Sequence, residues 1–142
     1  MVIIMREMIY ENRINHNKVI LDKGFFKDYE YIILSLGSHP CAYVCIDSNN
    51  PFYNQDYDDI PIDVHGGLTF ADNTLYRVLQ YSEKYKCDTL QTIKRDWIIG
   101  WDYGHYGDYN KILDPTGIKY TTQAIKNEVE YVINQLIALT SD

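Results

Sequence analysis

The sequence predicts an α+β domain, mainly antiparallel sheet packed against a C-terminal helix, with one or two further helices. Three observations carry that expectation. Tyr29 to Ser35 and Cys41 to Asp47 are β-branched and aromatic runs, joined by Leu36-Gly37-Ser38-His39-Pro40, and together they read as a hairpin. Ile125, Val129, Val132, Ile133 and Leu136 recur at i, i+4, i+7, i+8 and i+11, the stripe of an amphipathic helix. Strands joined by hairpin-type connections and followed by a closing helix are the pattern of a sheet covered on one face.

The remaining elements follow in order. Met1 to Ile9 is apolar at mixed periodicity and fits a strand or a short helix. Lys18 to Asp22 is a short β-type run closed by Lys23-Gly24. Ser48 to Ile60, rich in Asn, Asp and Pro, is a loop. Pro61 to Phe70 reads as extended, interrupted by His65-Gly66-Gly67, where a glycine pair suggests a bulge, a bend or a close backbone approach. Thr74 to Lys84 reads as a helix with Leu75, Val78 and Leu79 on one face. Asp96 to Trp101 is a short strand of buried type. Thr121 or Thr122 supplies the N-cap of the last helix, without the Glu or Gln that would complete a capping box.

At 142 residues the chain is expected to form one domain, 1–142, able to bury a sizeable core. Apolar residues at 46% and charged residues at 23% are ordinary for a globular protein. The net charge of −7 opposes tracking along DNA or RNA, which depends on Lys and Arg neutralising phosphates, though a single nucleotide needs only a local cation. Cys41 and Cys45 lie four apart on one strand face. That places them roughly 13 Å from each other, too far for a disulfide. Reduced cysteines, an opening apolar run interrupted by Arg6 and Glu7, and no membrane-length apolar segment predict a soluble, cytoplasmic protein.

The chemistry concentrates in three segments. Trp97 to Tyr109 holds both tryptophans, three tyrosines, three glycines and His105. His65 lies in Asp63-Val64-His65-Gly66-Gly67, and His39 in the Gly37-to-Pro40 turn. Three histidines with Asp102 or Asp108 would suit zinc with an open coordination position, yet no helical His-x-x-x-His spacing supports one. The sequence therefore assigns no cofactor, with zinc or another divalent metal as the alternative. Asp63 and His65, two apart on an extended segment, share a face, and Asp102 could orient His105. A carboxylate-oriented histidine is a general base. If the protein is an enzyme, His65, His105, Asp102 and Asp63 are the expected catalytic groups, although no Gly-x-Ser-x-Gly nucleophile accompanies them.

Ligand stacking is the third use. Trp101, Tyr103, Tyr106 and Tyr109 alternate with small residues, as a surface that sandwiches a planar ring would. Such residues also suit a dimer interface, which leaves homo-oligomerisation open. The expected ligand-binding set is His39, His65, Gly66, Gly67, Trp101, Asp102, Tyr103, His105, Tyr106 and Asp108. Each histidine has a plainer use as well, hydrogen-bonding a carbonyl to fix its own loop. The acidic run Asp56-Tyr57-Asp58-Asp59 lacks the EF-hand pattern, and Gly66-Gly67 lacks the phosphate-loop lysine.

Three blocks, His39-Pro40-Cys41-Ala42-Tyr43-Val44, Asp63-Val64-His65-Gly66-Gly67-Leu68-Thr69 and Gly100 to Tyr109, together with the Tyr120-Thr121-Thr122 ending, span roughly residues 35 to 136. In these the chain resembles an uncharacterised family of small proteins from phages, prophages and Gram-positive bacteria. The resemblance implies a phage context and hence a sponge that sequesters a nucleotide signal of bacterial immunity. Arg13, Arg77, Lys94 or Arg95 would then have to reach the phosphate. A metal- or His/Asp-dependent hydrolase of a nucleotide-like substrate and a protein inhibitor of a host defence enzyme are the alternatives. Residues 72–95 match none of the blocks and read as a variable insertion.

Overall fold

The computed structural model describes residues 18–105, 107–109 and 114–141. Lys27 and Asp28 have φ of 47° and 69°, so the chain reverses in two residues between β1 (Lys18–Phe26) and β2 (Tyr29–Ser35). Left-handed backbone at both central positions matches the twist of the flanking strands. β2 pairs antiparallel with β3 (Pro40–Ile46), the hairpin expected from the sequence. β4 (Phe70–Ser82) and β5 (Cys87–Asp102) form a third, long hairpin, and β5 returns along β3. The order β1-β2-β3-β5-β4 closes into a barrel through a short parallel pairing of Lys18 with Val78 and Val19 with Leu79.

Alternation along the strands builds two cores. Ile32, Leu34, Cys41, Tyr43 and Ile98 face the barrel interior, where they meet Ile20, Leu75, Val78 and Ile93. Their neighbours Tyr31, Ile33, Ala42, Val44, Ile99 and Trp101 face outward and are covered by α1 (Thr122–Thr140). Ile125, Val129, Val132, Ile133 and Leu136 are fully buried in that second core. Each such side chain contributes about 1.5–3 kcal/mol. These five burials anchor the helix on the sheet. Thr121 is the N-cap, its hydroxyl accepting from the Ala124 amide at 3.1 Å.

The sheet with a closing helix is thus observed, but the sheet is a barrel, and no further α-helix lies among the described residues. Among the described residues the only other helical turn is a 3-10 turn at Tyr57–Asp59, inside the expected loop. Thr74 to Ser82 is strand, not helix, and Glu83 and Lys84 lie in the turn that follows. Leu75 pairs with Ile93 and Val78 with Gln91, so one extra residue is accommodated on β4, and Arg77 takes φ of 59° there. That bulge turns Leu75 and Val78 to the same side although they are three apart, imitating a helical spacing. Residues 72–95 make up most of the β4–β5 hairpin, and Leu75, Val78 and Ile93 from them fill the barrel interior.

β1 runs past Asp22 to Phe26, and the strand expected at Asp96 to Trp101 is the end of the 16-residue β5. Within Pro61 to Phe70 only Phe70 belongs to a strand. Met1 to Ile9 lies outside the described residues. Cys41, Cys45 and Cys87 are free thiols. Among the described residues no helix is long and apolar enough to cross a membrane.

Candidate functional site

Ile60, Ile62 and Val64 sink into the core beside α1, which leaves Asp63 and His65 on the outer side of the segment. The helix then clamps that segment. The Asp63 amide donates to Gln135 Oε1 at 2.8 Å, Gln135 Nε2 donates to the Asp63 carbonyl at 2.7 Å, and the His65 amide donates to Glu128 Oε1 at 2.8 Å. Asp63 and His65 share a side as expected, but they are not partners. Asp63 accepts from the Tyr131 hydroxyl at 2.8 Å, whereas residues two apart on extended chain stand roughly 7 Å from each other. Asp63 thereby braces the helix.

The other wall descends from the end of β5. Asp102 accepts from the Gly104 amide at 3.0 Å and from the Thr69 hydroxyl at 3.1 Å, tying the two chain segments together. The loop beyond closes on itself. The Asp108 amide donates to the His105 carbonyl at 2.9 Å, and Gly107 and Tyr109 exchange backbone bonds with Ile118 at 2.8 and 3.0 Å. A Cβ on Gly117 would stand 2.4 Å from the Asp108 carbonyl, so this approach of residues 117–118 to Asp108 requires glycine. The Asp114 carboxylate accepts from the Gly107 amide at 3.2 Å.

These restraints place Asp108, only 4% exposed, against two histidines. His65 Nε2 lies 3.0 and 2.9 Å from the two Asp108 oxygens. The same carboxylate accepts from the His105 amide at 3.0 Å. His105 Nδ1 is buried without a hydrogen-bond partner, with Asp102 Oδ1 at 3.5 Å and Asp108 Oδ2 at 3.8 Å. The rings of His65 and His105 meet edge to face, their centroids 5.8 Å apart. His65 is held in orientation by Tyr103, stacked at 4.7 Å, and by Tyr120 at 4.9 Å.

Two glycines are seats for histidines from other segments. A Cβ at Gly66 would come within 2.3 Å of the His105 ring, and Gly66 has φ of 69°. A Cβ at Gly104 would meet the His39 ring at 3.0 Å. His39, His65 and His105 are thereby interlocked through backbone. Gly66→Ala is expected to cost about 1–2 kcal/mol in backbone strain alone, and it must also displace the His105 ring. Denaturant unfolding reads the first effect and loss of ligand response the second; an unchanged midpoint would contradict the packing described.

His39 Nδ1 faces the Ser38 hydroxyl at 3.0 Å. Burial pushes its pKa below the usual 6.5, against the opposing pull of the Asp102 and Asp108 carboxylates, while His105 adds to the lowering. The fold favours the neutral ring, so the unfolded chain binds the extra proton and stability rises with pH. The contribution is present above pH 6.5 and is lost as pH falls below it. The unfolding midpoint is expected to drop over that range, and less steeply in His39→Gln; equal slopes would refute the assignment.

Of the residues expected to bind ligand, His39, His65, Gly66, Asp102, His105 and Asp108 converge. Gly67 follows the turn with φ of 80° and open space at its Cα. Trp101 and Tyr103 require correction as a stacking surface. They are 1% and 2% exposed, packed in the core under α1, with the Trp101 indole donating to the Tyr103 hydroxyl at 3.1 Å. Burial also raises the Tyr103 pKa, keeping that hydroxyl protonated. Tyr106 lies outside the described residues, as does Arg13.

Lys94 and Arg95 do not approach the cluster. They line a groove of about 480 Å³ at the other end of β2, β3 and β5, where Arg95 pairs with Glu30 at 2.5 Å. Arg77 stands exposed at the β4 bulge. Lys119 holds its ammonium 4.3 Å over the ring of Tyr109, the residue after Asp108. Sequence reasoning missed Lys119, Gly117, Glu128 and Thr69, and only Gly117, four residues before the helix N-cap, carried a local signal. No protein-family model matches the chain, and neither the curated proteins nor the solved structures contain a match.

Proposed function

We propose that the protein hydrolyses a small molecule at the His65–Asp108–His105 cluster. The observation that carries this reading is the Asp108 carboxylate, buried and facing His65 Nε2 through both oxygens. An ionised carboxylate there directs the Nε2 proton toward itself, leaves the lone pair on Nδ1, and stabilises the imidazolium formed when the ring takes a proton. Water is the nucleophile in this reading. The Cys41 thiol is buried and its pKa is pushed up to about 12, so it stays protonated. His105, with Asp102 at 3.5 Å, adds a second imidazole on the same wall.

A second reading uses the same cluster without turnover: sequestration of a nucleotide signal by a phage anti-defence protein in the host cytoplasm. Lys119 over Tyr109, next to Asp108, favours it, because a phosphate needs a cation in reach. One experiment separates the two. The protein is screened against cyclic and ADP-ribose-type nucleotides and simple esters, with product release and thermal shift read in parallel. Turnover lost in His65→Ala and His105→Ala supports hydrolysis. Stabilisation of about 2.7 kcal/mol at 100 times Kd without turnover supports sequestration. Neither response sinks both.

A further inference from the structure

We infer that His65, His105 and Asp108 hold one divalent transition-metal ion of the zinc class. The inference rests on reading this cluster as the functional centre, though not on hydrolysis itself. One ligand atom from each of the three side chains lies within 4.8 Å of the other two. In a tetrahedral site with bonds of about 2.0–2.2 Å, ligand atoms stand roughly 3.4 Å apart. The widest separation needs to close by up to roughly 1.4 Å, an adjustment that the partly exposed His105 ring permits, while His65 Nε2 and Asp108, already 2.9 Å apart, need only part slightly.

The independent observation is His105 Nδ1. It is buried, it has no hydrogen-bond partner, and it sits between Asp102 and Asp108 oxygens too distant to bond it well. A buried polar nitrogen left unpaired is costly, and a cation among these atoms would satisfy it. The electrostatics agree. The cluster combines neutral-capable imidazoles with a buried carboxylate, and Asp102 and Glu128 stand beside it. None of the described hydrogen bonds of the three ligands comes from Lys or Arg.

The donor set selects the ion. Two nitrogens and one oxygen suit zinc, cobalt or iron, whereas calcium and magnesium take oxygen ligands throughout. Three protein ligands leave a coordination position open, the arrangement of catalytic rather than structural zinc. Such an ion supplies an acidified water at neutral pH. The chain's own contribution is orientation: Tyr103 and Tyr120 fix the His65 ring, Gly66 seats His105, and residues 117–118 hold Asp108.

The test is equilibrium dialysis of the chelator-stripped full chain against Zn²⁺ and Co²⁺, with the visible spectrum of the cobalt form. One ion per chain is expected, with the d–d bands of a low-coordinate site. His65→Ala, His105→Ala and Asp108→Ala are each expected to weaken binding by about 100-fold or more. Asp63→Asn, at a carboxylate engaged by Tyr131, leaves affinity unchanged. Sub-stoichiometric uptake, or uptake unaltered in folded His105→Ala, overturns the inference. Turnover without metal uptake, surviving the chelator, overturns it too and leaves hydrolysis standing. Stoichiometric uptake without turnover supports the metal site and removes hydrolysis.

Discussion

Asp108→Ala is expected to reduce turnover by about 100- to 10,000-fold, the range that positioned acid–base groups contribute. The carboxylate performs three tasks from a buried position. It engages His65 Nε2, it accepts the His105 amide, and it stands 3.8 Å from His105 Nδ1. Truncation leaves the first two groups without their acceptor, so both histidines lose orientation along with the charge that favours the imidazolium. Asp108→Asn is the sharper variant. Its side-chain oxygen still accepts from one donor, while the charge is gone. Rates and unfolding midpoints measured on both variants separate chemistry from folding. Full turnover in a folded Asp108→Asn protein would remove Asp108 from the reaction.

Trp101→Ala is expected to cost about 3–5 kcal/mol of stability, the usual toll for emptying a buried aromatic position. The side chain is 1% exposed, belongs to the core beneath α1, and donates to the Tyr103 hydroxyl. Its loss opens a cavity and also deprives Tyr103, which stacks on His65, of that partner. Chemical denaturation measures the effect. A change below about 1 kcal/mol would contradict the core placement and return Trp101 to a ligand-facing surface.

The hairpin of β2 and β3 and the C-terminal helix were legible because their signals are local. Alternation at period two and recurrence near 3.6 need no knowledge of distant chain. Residues 74–84 were misread for an equally local reason. A single-residue bulge at Arg77 shifts the period-two pattern, and Leu75 and Val78 then carry the spacing of a helix. The closure of the barrel had no local signature at all, since it depends on two parallel pairings between Lys18–Val19 and Val78–Leu79.

The site divides in the same way. Glycine next to histidine marked the segments around His65 and His105 as unusual, and the structure supplies the cause: Gly66 seats His105, and Gly104 seats His39. Which carboxylate serves His65 was beyond sequence. Asp63 was the neighbour in the chain, and Asp108, 43 residues away, is the partner in space. The sequence alone determined the β2–β3 hairpin, the C-terminal helix and the unusual glycine–histidine segments, because those depend on side-chain order over a few residues. Only the tertiary structure decided the pairing of His65 with Asp108, the burial of Trp101 and Tyr103, and the unpaired nitrogen of His105. Those depend on where a closed barrel and its covering helix bring distant backbone together.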